Sequence, residues 1–119
     1  MLVVEDTLPD QVLVEKKIKS LWPECNVVTV GTLHAAYKTF QTQNFDIVLL
    51  DLNLPDGFGP NSVKEMRRFN RNIPIVVMTG MLTPLTTDES LRLGANGIIP
   101  KSDIIGDNFI NILQQNTAS

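Results

Sequence analysis

The sequence predicts an α/β fold built on one five-stranded parallel sheet, with five helices shared between its two faces. Two patterns carry that expectation. Short, unbroken apolar runs recur along the chain without polar alternation, as in strands that are covered on both faces. Between them lie stretches whose apolar residues recur at helical spacing. The 119 residues are near the common size of one domain, so a single hydrophobic core over 1–119 is expected.

Taken in order, Leu2, Val3 and Val4 read as the first strand. The helix that follows has Pro9 in its first turn, a stripe of Val14, Ile18 and Leu21, and Lys16, Lys17 and Lys19 turned outward. Val27 and Val28 form the second strand, and helical spacing runs over about 32–41. The run 47–50, "IVLL", is the third strand, followed by a helix over 61–69. The fourth strand is 75–78, and its helix begins at Pro84 and ends before Gly94, a residue suited to a helix end. Ile98 and Ile99 form the last strand, and a closing helix carries Ile105, Phe109, Ile112 and Leu113. The polar end, 115–119, reads as a frayed tail or the start of a linker. Met1 stands almost directly against the first strand, which suggests an excised domain with a start codon added. Alternating strands and helices joined by right-handed crossovers, at this size, give the flavodoxin-like strand order 2-1-3-4-5.

Composition narrows the function. A net charge of −3 supplies no basic field for nucleic acid, so no direct nucleic-acid binding is expected. The longest apolar runs span a few residues, too short for a helix to cross a bilayer, and no basic leader precedes an apolar stretch. Cys25, the single cysteine, excludes an internal disulfide and fits a reducing compartment. A soluble cytoplasmic domain without membrane attachment is expected.

In an open parallel sheet, ligands bind beyond the carboxyl ends of the strands, where strand order reverses. The residues that follow each apolar run therefore decide the chemistry. After "LVV" come Glu5 and Asp6; after "IVLL" comes Asp51; after "IVVM" comes Thr79; after "GIIP" comes Lys101. Three acids, a hydroxyl and an ammonium should meet in one crevice. Two carboxylates about 4 Å apart repel by roughly 4 kcal/mol at an effective dielectric near 20, and one lysine offsets only part of that. A divalent cation with oxygen ligands resolves the rest, and Mg²⁺ binds through one or two carboxylates plus waters and phosphate. Carboxylates, Mg²⁺, a hydroxyl and a lysine make a site for a phosphoryl group, at which a carboxylate can itself be the nucleophile.

These residues, in "LVVED", "IVLLDLNLPDGFG", "IVVMTG" and "GIIPKS", are the ones by which the chain resembles the receiver domain of two-component response regulators. The resemblance covers essentially its whole length. It implies a phosphoacceptor signalling domain that catalyses only its own phosphorylation and dephosphorylation. Asp51 would accept a phosphoryl group from a phosphohistidine on a histidine kinase or histidine phosphotransfer protein. Asp6 and Asp51 would bind Mg²⁺ directly, the backbone carbonyl of Asn53 would be its remaining protein ligand, and Glu5 would act through water. Thr79 would bind a phosphoryl oxygen, with Gly80 leaving room beside it. Lys101 would pair with Asp51 before transfer and with the phosphoryl group afterwards. An effector domain or output partner, and a homodimer, fit the same family.

Two positions depart from the family pattern. The aromatic switch residue three positions before the lysine is Ile98 here, which leaves movement of Thr79 and of 81–87 to carry the signal. Ser102, not proline, follows the lysine, and Pro100 precedes it. Two other readings share parts of the set. A pseudo-receiver would keep the fold as a binding module without phosphorylation. A haloacid-dehalogenase-type phosphatase shares the aspartate, Mg²⁺, threonine and lysine, but its second aspartate falls at Asn53 and it needs a cap domain. His34 lacks metal-ligand neighbours, and Lys64, Arg67, Arg68 and Arg71 read as a solvated helix face.

Overall fold

The computed structural model describes residues 1–104 and 106–117. Strands β1 (Leu2–Val4), β2 (Val28–Val30), β3 (Val48–Asp51), β4 (Ile75–Thr79) and β5 (Gly97–Pro100) form the main sheet. Every neighbouring pair is parallel, and the order is β2-β1-β3-β4-β5, as the alternating pattern predicts. The helices are α1 (Leu8–Leu21), α2 (Leu33–Phe40), α3 (Asn61–Phe69), α4 (Pro84–Arg92) and α5 (Asp107–Thr117).

Alternate residues of each strand point to opposite faces, and both faces are buried. Leu2, Val4, Val48, Leu50, Ile75 and Val77 pack with Val63 and Met66 of α3 and Ala36 of α2. Val3, Leu49, Val76, Met78 and Ile99 pack with Val14 and Ile18 of α1 and Phe109 and Leu113 of α5. Two apolar layers on one sheet explain why the strands read as continuous apolar runs.

Several boundaries shift from expectation. β2 begins at Val28, whose N–H donates to the Met1 carbonyl, and runs to Val30. β3 and β4 each take in their terminal polar residue, so Asp51 pairs in register with Met78 and Thr79 with Pro100. Pro100 is tolerated because β5 is an edge. The backbone of α5 stays helical to Thr117, three residues into the expected tail, since glutamine is a good helix former. Ile105 lies outside the described residues.

A short antiparallel hairpin, Asn53–Leu54 against Gly57–Phe58, follows β3 and turns through Pro55 and Asp56. A Cβ on Gly57 would lie 2.3 Å from Leu33 Cδ1, so a larger residue there would have to displace the Leu33 side chain. Gly94, at φ +119, ends α4 as expected. Arg67 corrects the solvated-face reading of α3. Its guanidinium is half-buried and donates to the carbonyls of Gly94, Ile73 and Asn70 and to Asn96 Oδ1.

Candidate metal and phosphoryl site

The carboxyl ends of β1, β3, β4 and β5 bring the expected residues to one end of the sheet. Glu5 follows β1 and is fully buried; Asp6, next to it, is exposed. Asp51 ends β3 with 2% of its surface exposed. One carboxylate oxygen from each of Glu5, Asp6 and Asp51 lies within 4.8 Å of the others. Lys101 opens the short 3₁₀ turn (Lys101–Asp103) after β5.

The Lys101 ammonium stands among three carboxylates. Its Nζ lies 2.8 Å from Asp10 Oδ2, 2.9 Å from Glu5 Oε2 and 3.4 Å from Asp51 Oδ2. Burial works against its positive charge, but the hydrogen bond to Asp10, the close contact with Glu5 and the charge of Asp51 outweigh it, so its pKa is raised. Burial pushes the Glu5 carboxyl up, against the lowering pull of Lys101 and of the Thr7 N–H, while Asp51 adds to the rise. The other Glu5 oxygen, Oε1, accepts from the N–H and hydroxyl of Thr7, each at 3.1 Å. Glu5 Oε2 and Asp51 Oδ2 are buried without a well-directed hydrogen bond. Such oxygens are costly unless a cation meets them.

Asn53 N–H donates to Asp51 Oδ1 at 3.2 Å, fixing the acid's second oxygen from the start of the hairpin. Thr79 is buried at the end of β4, and its hydroxyl is held within its own loop. It donates to the Met81 carbonyl at 3.1 Å and accepts from the Met81 N–H at 3.2 Å. Asp51, Asn53, Thr79, Gly80 and Met81 line an open crevice of about 480 Å³. A Cβ on Gly80 would meet nothing within 4 Å, so the space beside Thr79 is open. Ile98 is half-buried and packs on the α2/α3 layer. His34 is exposed.

Two participants escaped the sequence reading, Thr7 and Asp10. Both lie in the few residues that lead from β1 into the first turn of α1, and Asp10 is four residues beyond Asp6. That stretch sits at the crevice end of the sheet, which is the signal that could have found them.

A doubly wound sheet whose carboxyl ends hold an acidic, oxygen-rich crevice with one lysine defines an α/β domain with a site suited to a cation. The model of the response regulator receiver domain family matches residues 1–108, and the chain belongs to that family. It is 34% identical over 103 residues to response regulator protein GraR of Staphylococcus epidermidis, covering 85% of this chain and 44% of GraR. It is 29% identical over 101 residues to transcription factor SKN7 of Saccharomyces cerevisiae, covering 85% of this chain and 16% of SKN7. The chain thus spans less than half the length of these curated relatives. Among solved structures, the receiver domain of sensor histidine kinase PA1611 from Pseudomonas aeruginosa has magnesium coordinated in its active-site cleft. It superposes with a TM-score of 0.79 at 25% identity, over 99% of this chain and 96% of that one. The receiver domain of NtrX from Brucella abortus shares the fold at a TM-score of 0.86 and 21% identity, over 99% and 98% of the two chains. Among the described residues, no helix is long and apolar enough to cross a membrane.

Proposed function

We propose that residues 1–119 act as one receiver domain in which Asp51 takes a phosphoryl group from a phosphohistidine of a histidine kinase or histidine phosphotransfer protein. The observation that carries this reading is the buried pair Glu5 Oε2 and Asp51 Oδ2, facing Lys101 without directed hydrogen bonds. The all-oxygen set suits Mg²⁺: Asp6 and Asp51 would hold it directly, the Asn53 carbonyl would be the third protein ligand, and Glu5 would act through water. When bound, Mg²⁺ supplies positive charge that offsets the phosphoryl oxygens and the acid cluster.

The chain's own residues do the rest. A carboxylate oxygen of Asp51 attacks phosphorus, the P–N bond breaks, and its electron pair returns to the imidazole of the donor. Buried at the end of a central strand, Asp51 has little freedom to miss the line of attack. Lys101 turns from Asp51 to the phosphoryl oxygens, and the Thr79 hydroxyl donates to one of them in the space beside Gly80. With Ile98 at the switch position, displacement of Thr79 and the following loop carries the signal to an effector or output partner. The domain works in the cytoplasm and catalyses only its own phosphorylation and dephosphorylation.

Incubation with Mg²⁺ and acetyl phosphate or phosphoramidate tests this reading by intact mass. The wild type gains one phosphoryl group and Asp51→Asn gains none. Equal labelling of that variant, or no labelling of the wild type, defeats the assignment.

A further inference from the structure

Lys101 is held by a carboxylate outside the acid set of the proposed site. Of its three short contacts, the one to Asp10 Oδ2, at 2.8 Å, has hydrogen-bond geometry, whereas Glu5 Oε2 and Asp51 Oδ2 have no directed partner. The pair joins the first turn of α1 to the turn after β5, 91 residues apart in sequence. Hydrogen bonding to Lys101 is the largest influence on Asp10 and holds its carboxyl below the usual aspartate range.

An ammonium has three protons to donate, and three carboxylates already surround this one. A phosphoryl group on Asp51 takes that acid's place at Lys101 and presents several charged oxygens, so its pull on the ammonium competes with the carboxylates that keep their share. Glu5 and Asp51 are 0% and 2% exposed at their side chains, while Asp10 is 35% exposed. A buried acid left without a partner costs far more than one that water can solvate. Asp10 is therefore the partner that can be released.

We propose that Asp10 is a positioning residue that shares Lys101 with the acceptor at rest and competes with the phosphoryl group for it. This rests on the receiver reading above and deepens it: the strength of the Asp10–Lys101 pair sets how readily the domain enters its phosphorylated state. Release of Lys101 also frees the first turn of α1 from the β5 side of the crevice.

The test is titration of the full chain with beryllofluoride, a phosphoryl mimic, at saturating Mg²⁺. Fluorine NMR resolves bound from free ligand and reaches weak, millimolar binding. Asp10→Asn should bind about three- to tenfold more tightly, the range for loss of a partly exposed charged competitor. Asp10→Glu, which keeps the carboxylate, should stay near the wild type. In a Lys101→Ala background, Asp10→Asn should change nothing. Unchanged or weaker binding by Asp10→Asn overturns the inference, as does an equal gain without Lys101, which would reduce Asp10 to a general charge effect. Failure of the wild type to bind beryllofluoride with Mg²⁺ overturns the receiver reading instead.

Discussion

Asp56 reaches from the hairpin after the acceptor strand to Leu33, whose backbone N–H donates to its Oδ1 at 2.8 Å. Its other oxygen accepts from the His34 N–H at 3.0 Å. These are two of the unpaired donors at the start of α2; a third, on Ala35, is taken by the Thr32 hydroxyl. The loop that follows Asp51 is thereby fastened to a second helix. Asp56→Ala should lose about 1–2 kcal/mol of stability, the usual cost of a lost helix cap. Urea unfolding measures it, and a loss below the scatter between replicates would mean the cap does not act in solution.

Arg67 and Arg68 are neighbours with opposite prospects. Arg67 ties α3 to the ends of α4 and β5 through four acceptors, three of them backbone carbonyls. Arg68, with a side chain 72% exposed, pairs with Glu65 at 3.4 Å. Arg67→Ala should cost about 2–4 kcal/mol, since several charged hydrogen bonds to mostly half-buried acceptors are lost together. Arg68→Ala should fall within about 0.5 kcal/mol of wild type. Equal midpoints for the two variants in urea would contradict this contrast.

Alkaline pH should expose the Lys101 cluster. The folded-state pKa of Lys101 is raised above its unfolded value because three carboxylates outweigh burial. Its contribution to stability is therefore complete below the unfolded pKa, about 10.4, and is lost as pH rises towards the folded one. Lys101→Met should show a flatter decline in stability above that point than the wild type. Parallel decline of the two proteins, followed by urea midpoints across the range, would rule this out.

Trp22 reports on the far pole. It follows α1 and borders a cavity of about 220 Å³ with Met1, Cys25, Asp46, Ile47 and Leu113, at the starting ends of the strands. Mg²⁺ at the crevice should change Trp22 emission only weakly. Strong quenching at saturating Mg²⁺ would place the cation at the wrong end.

What was legible in the sequence follows from locality. Each strand announces itself by its own apolar run, and its terminal polar residue lies within one or two positions, so Glu5, Asp6, Asp51, Thr79 and Lys101 could be found by reading along the chain. Asp10 could not be paired with Lys101 that way, because the contact depends on which helix start faces which strand exit. The hairpin at Asn53 has strands of two residues, too short for any alternation to register. Arg67 looked like one more basic residue on α3, since its acceptors come from residues 70–96. Periodicity describes an element's own face; it carries no record of the neighbour that meets it.

Thr79 has one hydroxyl proton, and at rest that proton is already directed to the Met81 carbonyl while the same oxygen takes the Met81 N–H. The closed ring leaves Met81 75% exposed, with Leu82 and Leu85 beside it at 45% and 73%. For the Thr79 hydroxyl to donate to a ligand in the crevice, its one proton has to leave the Met81 carbonyl. Under the proposed function, the Met81 carbonyl and a phosphoryl oxygen would contend for that single proton, which would make this loop a listener to the crevice rather than a passive wall of it.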